Sequence, residues 1–189
     1  MGNSVNLSSY NNDWFKPGRN FVIRTLWFIT NSLFLISSLQ PSSKLRVVLL
    51  RLFGAKIGKG VVIKPGVNIK YPWNLTVGNY CWIGERVWID SLTKVQIGEN
   101  CCLSQGVIII TGNHNYKEPT FDLIVNPVVL EDGCWLGVGS VVTDGVTCGT
   151  HSVLSAGSVA SKDLEPYYIY RGNPAEKIRK RIINSPNKN

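Results

Sequence analysis

From residue 57 onward, aliphatic side chains recur at every sixth position of the chain. The registers begin Ile57, Ile63, Ile69 and Val77, Ile83, Ile89, and they continue through Ile97, Leu103, Ile109, Leu130, Leu136, Val142, Cys148, Leu154 and Ala160. The residue four positions later is usually small or β-branched, and a glycine often follows the aliphatic residue. A period of six fits neither the 3.6 of a helix nor the two of a plain strand. It is typical of a repeat architecture, so we predict an all-β solenoid.

Each hexad is expected to supply one short strand and one corner, and three hexads to complete a triangular coil. The coil starts Ile57, Val77 and Ile97 are twenty residues apart, because two extra residues sit at equivalent corners. About five coils fit into residues 55–165, and at a strand spacing of about 4.8 Å they form a prism about 24 Å tall.

The chain before the solenoid, residues 1–54, follows a different pattern. A polar tail precedes residues 21–39, where the strongest apolar side chains recur at intervals of three and four, as in a helix with one apolar stripe; they are Val22, Leu26, Ile29, Leu33 and Ile36. We expect this stripe to pack against the body of the protein or a partner subunit, with a bilayer interface as the alternative. A second helix is predicted at 43–53, ended by Gly54.

Residues 166–189 form a predicted C-terminal extension. Asn173 can cap a helix that has Pro174 at its first position, so a short C-terminal helix is expected here. Its basic run comprises Lys177, Arg179, Lys180 and Arg181. Such a run can meet an anionic ligand or simply face solvent.

The hexad rhythm breaks once, between about residues 111 and 128. This insertion is too long for a corner, and an excursion from a rigid scaffold is where function is expected. It carries His114, one of only two histidines. The other, His151, occupies a solvent-facing hexad position and is expected to be a surface residue.

Composition and charge narrow the function further. The net charge of +8 is divided into +7 for residues 1–60, −4 for 61–170 and +5 for 171–189, and an acidic-leaning body argues against nucleic-acid binding. Two histidines exclude a three-histidine metal site within one chain, and the five cysteines lack zinc-type spacing. Cys81, Cys101 and Cys134 share one inward position, which predicts a stacked column. Unpaired thiols and a polar first stretch favour the cytoplasm.

Six motifs carry a family resemblance. They are Phe-Gly-Ala-Lys-Ile-Gly at 53–58, Tyr-Pro-Trp-Asn-Leu at 71–75, Trp-Ile-Gly-Glu at 82–85, Thr-Gly-Asn-His-Asn-Tyr at 111–116, Ala-Gly-Ser-Val at 156–159 and Arg-Gly-Asn-Pro-Ala at 171–175. The chain resembles the hexapeptide-repeat acyltransferases, and within them the exopolysaccharide O-acetyltransferases of the colanic-acid type. The resemblance implies a left-handed β-helix, a hand that periodicity cannot reveal because crossovers are usually right-handed.

The resemblance implies direct acetyl transfer from acetyl-CoA to a sugar hydroxyl, with no metal required. A hydroxyl is a weak nucleophile near neutral pH, so a base must take its proton, and an imidazole with an ordinary pKa of about 6.5 suits this task. His114 matches the catalytic position of the family motif. Its second nitrogen needs a partner, for which Asp90 is our prediction and Glu85 or a backbone carbonyl are the alternatives.

The resemblance also places CoA along the later coils, between neighbouring subunits of a homotrimer. The matching residues are Trp135, Gly137, Gly139, Ala156, Gly157, Ser161, Lys162, Asn173 and Arg179. Lys162 and Arg179 would contact the phosphate groups of CoA, and the glycines would let the pantetheine arm approach the backbone closely. The corners between hexads also favour glycine without any ligand. Acceptor contacts are expected from Trp82, Glu85, Trp88, Asn113, Tyr116 and Phe121, where the tryptophans can also serve as plain surface cover.

The expected function is therefore an acetyl-CoA-dependent sugar O-acetyltransferase of surface polysaccharide biosynthesis. In the alternative where the apolar stripe lies in a bilayer interface, residues 19–52 would give peripheral contact with the membrane. One alternative is an N-acyltransferase acting on an amino sugar or nucleotide sugar. Another is a non-catalytic solenoid scaffold. The insertion at 111–128 favours an enzyme, because a scaffold has no use for a histidine on a protruding loop.

Overall fold

The computed structural model describes residues 4–184 and is a left-handed parallel β-helix. Its strands lie in three faces, A, B and C, and the chain visits the faces in that order in every coil. Coil 1 contains β1 (Lys56–Ile57), β2 (Val62–Ile63) and β3 (Asn68–Ile69); coil 2 contains β4 (Leu75–Val77), β5 (Trp82–Ile83) and β6 (Trp88–Asp90); coil 3 contains β7 (Val95–Ile97), β8 (Cys102–Leu103) and β9 (Ile108–Ile110).

A hairpin of β10 (Gly112–His114) and β11 (Leu123–Val125) then leaves the prism before the coils resume. Coil 4 contains β12 (Val128–Leu130), β13 (Trp135–Leu136) and β14 (Val141–Val142); coil 5 contains β15 (Thr147–Cys148), β16 (Val153–Leu154) and β17 (Val159–Ala160). The prediction of a six-residue solenoid is confirmed.

The predicted aliphatic register is the core of the prism. Ile57 pairs with Val77, and Val77 with Ile97, so equivalent residues of successive coils stack directly upon one another. Nearly all of these side chains are buried. Because each strand is two or three residues long, the ladder between coils, and not the strand itself, holds the backbone in place.

The cysteine column is also confirmed. Cys81, Cys101 and Cys134 are buried one above another, and each thiol donates a hydrogen bond to a backbone carbonyl of the next coil. Burial raises the pKa of Cys148, which lies deeper in the core. A buried thiol whose pKa is raised in this way acts as a small apolar side chain and is a poor nucleophile.

Two helices close the first coil. α1 (Phe21–Thr30) continues into a π-helical turn (Asn31–Ile36), and α2 (Ser43–Leu52) follows; single 3₁₀ turns lie at Leu7–Ser9 and Pro72–Asn74. The Trp27 indole N–H donates to the carbonyl of Ile69 at 2.9 Å, and the Gly66 amide donates to the carbonyl of Leu35 at 3.0 Å. The helices therefore satisfy backbone groups of the first coil, which has no coil before it.

Arg46 of α2 is the most deeply buried polar side chain of this cap. Its Nε donates to the Phe34 carbonyl at 3.2 Å, one Nη donates to the Ile63 carbonyl at 3.3 Å, and the other contacts the Gln40 carbonyl. Burial lowers the pKa of the guanidinium, which nevertheless stays protonated at neutral pH. Arg46 thus ties the π-helical turn, the connecting loop and the first coil together.

The predicted helical stripe does not pack against the body of the protein. Leu26 and Leu33 are 52% and 59% exposed, whereas Trp27 and Leu35 on the opposite side are buried. The expectation of packing on the body is wrong because α1 is apolar on both sides, and the larger Trp27 occupies the face toward the solenoid. Among residues 4–184, no helix combines the length and the hydropathy needed to cross a bilayer.

The predicted C-terminal helix is wrong. Residues 168–180 form a hairpin of β18 (Tyr168–Gly172) and β19 (Ala175–Lys180), with Asn173 and Pro174 in its turn. β18 adds to face B through the pairs Val153–Ile169 and Leu154–Tyr170. A short isolated helix is marginal in water, whereas a strand rich in tyrosine and isoleucine gains the open hydrogen bonds of β16. Residues 1–3 of the polar tail and 185–189 of the extension lie outside the described residues.

Arg46→Met should lower the free energy of unfolding by about 2–4 kcal/mol, because buried carbonyls lose their donors. Urea denaturation followed by far-ultraviolet circular dichroism measures this change. The matched control is Lys44→Met on the exposed side of α2, expected to change stability by no more than about 0.5 kcal/mol. Equal effects of the two substitutions would contradict the bridging role of Arg46.

Candidate functional site

The β10–β11 hairpin protrudes from the edge where the chain passes from face C to face A, called here the C–A edge. Antiparallel pairing joins Gly112 to Val125 and His114 to Leu123. Its base is fixed by Asp144 of coil 4, which accepts hydrogen bonds from the amide nitrogens of Asn113 at 3.0 Å and Asn126 at 2.9 Å. The hairpin therefore holds His114 in a fixed position relative to the prism.

The imidazole of His114 is held by Phe121, on the connection of the same hairpin. Nδ1 lies 2.9 Å from the Phe121 carbonyl oxygen, and the two rings stack with centroids 4.5 Å apart at 9°. A carbonyl can only accept a hydrogen bond, so Nδ1 carries the hydrogen and Nε2 of the neutral ring keeps its lone pair. This tautomer is the one that a general base with a free Nε2 requires.

Asp90 does not orient the imidazole. His114 Nδ1 instead contacts the backbone carbonyl of Phe121. A backbone carbonyl was one of the two alternatives to Asp90 considered above. Asp90 Oδ1 instead faces Lys70 Nζ at 3.0 Å, an electrostatic contact whose angles do not satisfy a hydrogen bond. The backbone carbonyl of Asp90 accepts from the Thr111 hydroxyl at 2.6 Å. Asp90 therefore helps to fix the chain at the start of the hairpin and does not contact the imidazole.

A cavity of about 680 Å³ opens beside His114. Asp90, Lys70 and Tyr71 form its floor along the C–A edge, and Arg24 of α1 lies on one side. Leu92, Gly112 and Leu123 complete the prism and hairpin side, and the N-terminal segment contributes Tyr10, Asn12, Asp13, Phe15, Lys16 and Pro17. This polar, cation-lined space next to an available imidazole nitrogen is the best candidate for a binding site in the described chain.

The N-terminal segment is the part of the site that sequence reasoning missed. The backbone N–H of Asn6 donates to the Pro119 carbonyl at 2.8 Å, and the Tyr10 ring centroid lies 5.9 Å from that of His114. The Trp73 indole fixes the segment further along by donating to the Pro17 carbonyl at 2.7 Å. Irregular polar chain has no periodicity, so only the aromatic residues Tyr10 and Phe15 could have suggested a packed segment.

The six acceptor candidates are spread over the molecule. Phe121 contacts His114, while Asn113 and Tyr116 lie on the hairpin but not on the cavity wall. Trp88 lines a separate cavity beneath α1. Trp82 and Glu85 line a groove of about 250 Å³ on the edge between faces B and C, called the B–C edge. Within one chain, the structure therefore brings only Phe121 of this group to the imidazole.

Most of the predicted CoA residues share the B–C edge in coils 4 and 5. Gly139 and Gly157 have φ of +64° and +67°, with open space beside them. Gly137 has a packing role, because a Cβ there would lie 2.5 Å from the Ala156 nitrogen. Trp135 donates to Ser104 at 3.0 Å. The glycines remain compatible with both explanations, a close approach of CoA and the conformation of the corner, because a positive φ by itself selects glycine.

The remaining predicted CoA residues lie on either side of this edge. The Gly172 amide donates to the Ser158 hydroxyl at 3.0 Å, which places the hairpin turn containing Asn173 beside Ala156 and Gly157. Arg179 sits on β19 opposite Ile169, on the far margin of face B. Ser161 and Lys162 follow β17 and are exposed on the C–A edge.

His114 and the main group of predicted CoA residues thus occupy different edges of the prism. The whole width of face C separates them within one chain. A thioester bound along the B–C edge of a chain cannot reach the imidazole of that same chain without crossing this face.

Comparison with known proteins gives consistent matches over most of the chain. Residues 127–161 match the model of the hexapeptide repeat of succinyl-transferase. WcaF of Escherichia coli (strain K12), described as a colanic acid biosynthesis acetyltransferase, is 40% identical over 168 residues, which is 89% of this chain and 92% of that protein. The galactoside O-acetyltransferase of the same organism is 28% identical over 71% of this chain and 68% of its own.

Solved structures show the same fold. A maltose O-acetyltransferase from Clostridium difficile 630 superposes with a TM-score of 0.74 at 26% identity, covering 87% of this chain and 90% of its own. A hexapeptide-repeat acetyltransferase from Vibrio cholerae O1 biovar eltor, solved with acetyl coenzyme A, gives a TM-score of 0.76 at 23% identity, covering 86% and 88%.

Asp144→Ala should loosen the β10–β11 hairpin without unfolding the prism, because it removes the acceptor of both Asn113 and Asn126. Hydrogen–deuterium exchange of peptides covering 112–125 should accelerate at least about tenfold. Asp163→Ala is the matched control, since its carboxylate accepts from the Thr147 amide in coil 5 and its loss should leave the hairpin protected. Unchanged exchange in Asp144→Ala would show that another contact fixes the hairpin.

Proposed function

The chain belongs to the hexapeptide-repeat acyltransferases, and the relatives described above are acetyltransferases. We propose that it transfers an acetyl group from acetyl-CoA to a sugar hydroxyl in surface polysaccharide biosynthesis. The observation that carries the proposal is the hydrogen bond from His114 Nδ1 to the Phe121 carbonyl. It leaves Nε2 unprotonated in the neutral ring, beside a polar cavity. A catalytic histidine on a protruding hairpin distinguishes this reading from that of a scaffold.

In the proposed reaction, the oxygen of the sugar hydroxyl attacks the thioester carbonyl while His114 Nε2 accepts the proton of that hydroxyl. The tetrahedral intermediate collapses with cleavage of the carbon–sulfur bond, and the imidazolium returns the proton to the leaving thiolate. The products are an acetyl ester and CoA. The Phe121 carbonyl holds the ring in one tautomer and stabilises the transient charge, as a carboxylate does in other histidine sites.

The cavity beside His114 supports a sugar as the acceptor. Its volume of about 680 Å³ is sufficient for a sugar ring with an attached group, and its lining mixes the amide of Asn12, the carboxylate of Asp13 and the phenol of Tyr10. Such groups can hydrogen-bond several hydroxyls at once, while Phe15 and Tyr71 offer flat apolar surfaces. Lys70 and Asp90 neutralise one another at the floor.

The donor is proposed to lie on a neighbouring subunit of a homotrimer. The separation between His114 on the C–A edge and Gly139, Gly157 and Asn173 on the B–C edge supports this arrangement. In the proposed trimer, a closed three-fold axis would present each C–A edge to the B–C edge of the next chain. The groove containing Trp82 and Glu85 lies on the B–C edge as well, so these residues would join the site from the partner.

His114→Ala should reduce acetyl transfer from acetyl-CoA by at least about 100-fold, because proton removal from the hydroxyl is lost. Release of the CoA thiol with a panel of sugars measures the rate, and the mass of the product identifies an ester or, with amino sugars, an amide. His151→Ala is the matched control. The His151 ring lies on another edge of the prism, where it meets the Tyr167 ring edge-on with the centroids 5.0 Å apart. Full activity of His114→Ala, with circular dichroism unchanged, would reject the base assignment.

A site shared between chains predicts complementation between two inactive variants. Ala156→Trp fills the B–C edge at an exposed position and should block the pantetheine arm, whereas His114→Ala lacks the base. Co-expressed in equal amounts, the two chains should regain about a quarter of wild-type activity, since that share of random interfaces pairs two intact edges. No recovery in trimers that contain both chains would place the whole site within one chain.

A further inference from the structure

The helical cap carries many exposed large apolar residues, which together are called here the end face. It comprises Phe21, Val22, Leu26, Phe28, Ile29, Leu33, Ile36, Leu39, Leu45, Val48 and Leu52. They come from both helices, from the π-helical turn and from the loop that joins it to α2. A monomer rarely exposes so many large apolar side chains in one region unless the surface binds something.

The end face contributes less to the packing of the cap than the side toward the solenoid. Trp27, Leu35 and Leu50 already fill the side toward the solenoid and are almost completely buried. On α2, Leu45, Val48 and Leu52 point away from the buried Arg46 and Val47. Each helix is therefore apolar on the side that the fold uses and again on the side that it leaves to solvent.

All the charged residues in the segment that contains the end face are basic. Between Asp13 and Glu85 the chain contains ten lysines and arginines and no acidic residue. Lys44 and Arg51 flank the apolar residues of α2, and Arg19 and Arg24 lie at the start of α1. Apolar residues bordered by cations are the pattern of helices that lie in the interface of a bilayer containing anionic lipids.

We propose that the end face docks on a membrane surface that contains anionic lipids. The apolar residues enter the boundary between headgroups and acyl chains, and the flanking cations meet lipid phosphates. A second copy is the weaker occupant, because two such regions placed face to face would bring the like charges of Lys44 and Arg51 together without an acidic partner from this segment. This inference goes beyond the proposed function and does not depend on it.

The docked face and the candidate site share an element. Arg24, on α1, lines the cavity beside His114, while Leu26 and Ile29 of the same helix belong to the end face. The N-terminal wall of the cavity runs directly into α1. Docking through α1 therefore places the cavity next to the bilayer surface.

The test is co-sedimentation of the full-length protein with sucrose-loaded vesicles. Vesicles of phosphatidylcholine with one third phosphatidylglycerol should retain the protein, and pure phosphatidylcholine vesicles should bind at least about tenfold less. Leu26→Glu combined with Leu33→Glu should reduce binding to the anionic vesicles by at least about tenfold. Lys44→Glu should reduce it about fivefold or more. The matched control is Ile178→Glu combined with Ile182→Glu, two exposed aliphatic residues far from the end face, which should bind as wild type.

Two results would overturn the proposal. One is equal binding to both kinds of vesicle, or none to either. The other is a change in oligomeric state, measured by light scattering, in the Leu26→Glu and Leu33→Glu variant, because a second copy would then be the occupant. Both positions are more than half exposed, so the substitutions should leave the fold intact, which circular dichroism checks.

Discussion

The parallel stacking of identical coil positions is the constraint on which the rest of the protein depends. A strand of two residues has no stability of its own, and only the ladder to the coils on either side fixes its backbone. That ladder requires an inward aliphatic residue at every sixth position and a tightly turning corner between faces. The cysteine column follows from the same constraint, because only a small side chain fits where each coil bends inward.

A stack of coils has two open ends, and this chain closes them by different means. At the first coil, Trp27, Arg46 and the Leu35 backbone bond the carbonyl and amide groups that no earlier coil can pair. At the last coil, β18 extends face B and β19 pairs with its free side. Both solutions protect exposed strand edges, which otherwise invite aggregation. The helical solution also leaves a second apolar surface facing outward.

The rigidity of the prism is what makes a hairpin histidine useful. Asp144 anchors the base of the hairpin and the Phe121 carbonyl sets the tautomer of the ring, so the imidazole is positioned before any ligand arrives. The three-edged shape also separates the imidazole from the predicted donor residues, and this geometry links the proposed chemistry to the assembly of several chains.

The sequence by itself determined the solenoid, the number of residues per coil, the place of the protruding hairpin and the identity of its histidine. These features repeat or interrupt a local pattern, and a local pattern is visible without coordinates. Only the tertiary structure decided that Phe121 and not Asp90 holds His114, that residues 168–180 form a hairpin instead of a helix, and that the N-terminal segment walls the cavity. Each of these depends on which groups lie nearby after folding, where a backbone carbonyl, an open strand edge or an irregular segment leaves no periodic trace in the chain.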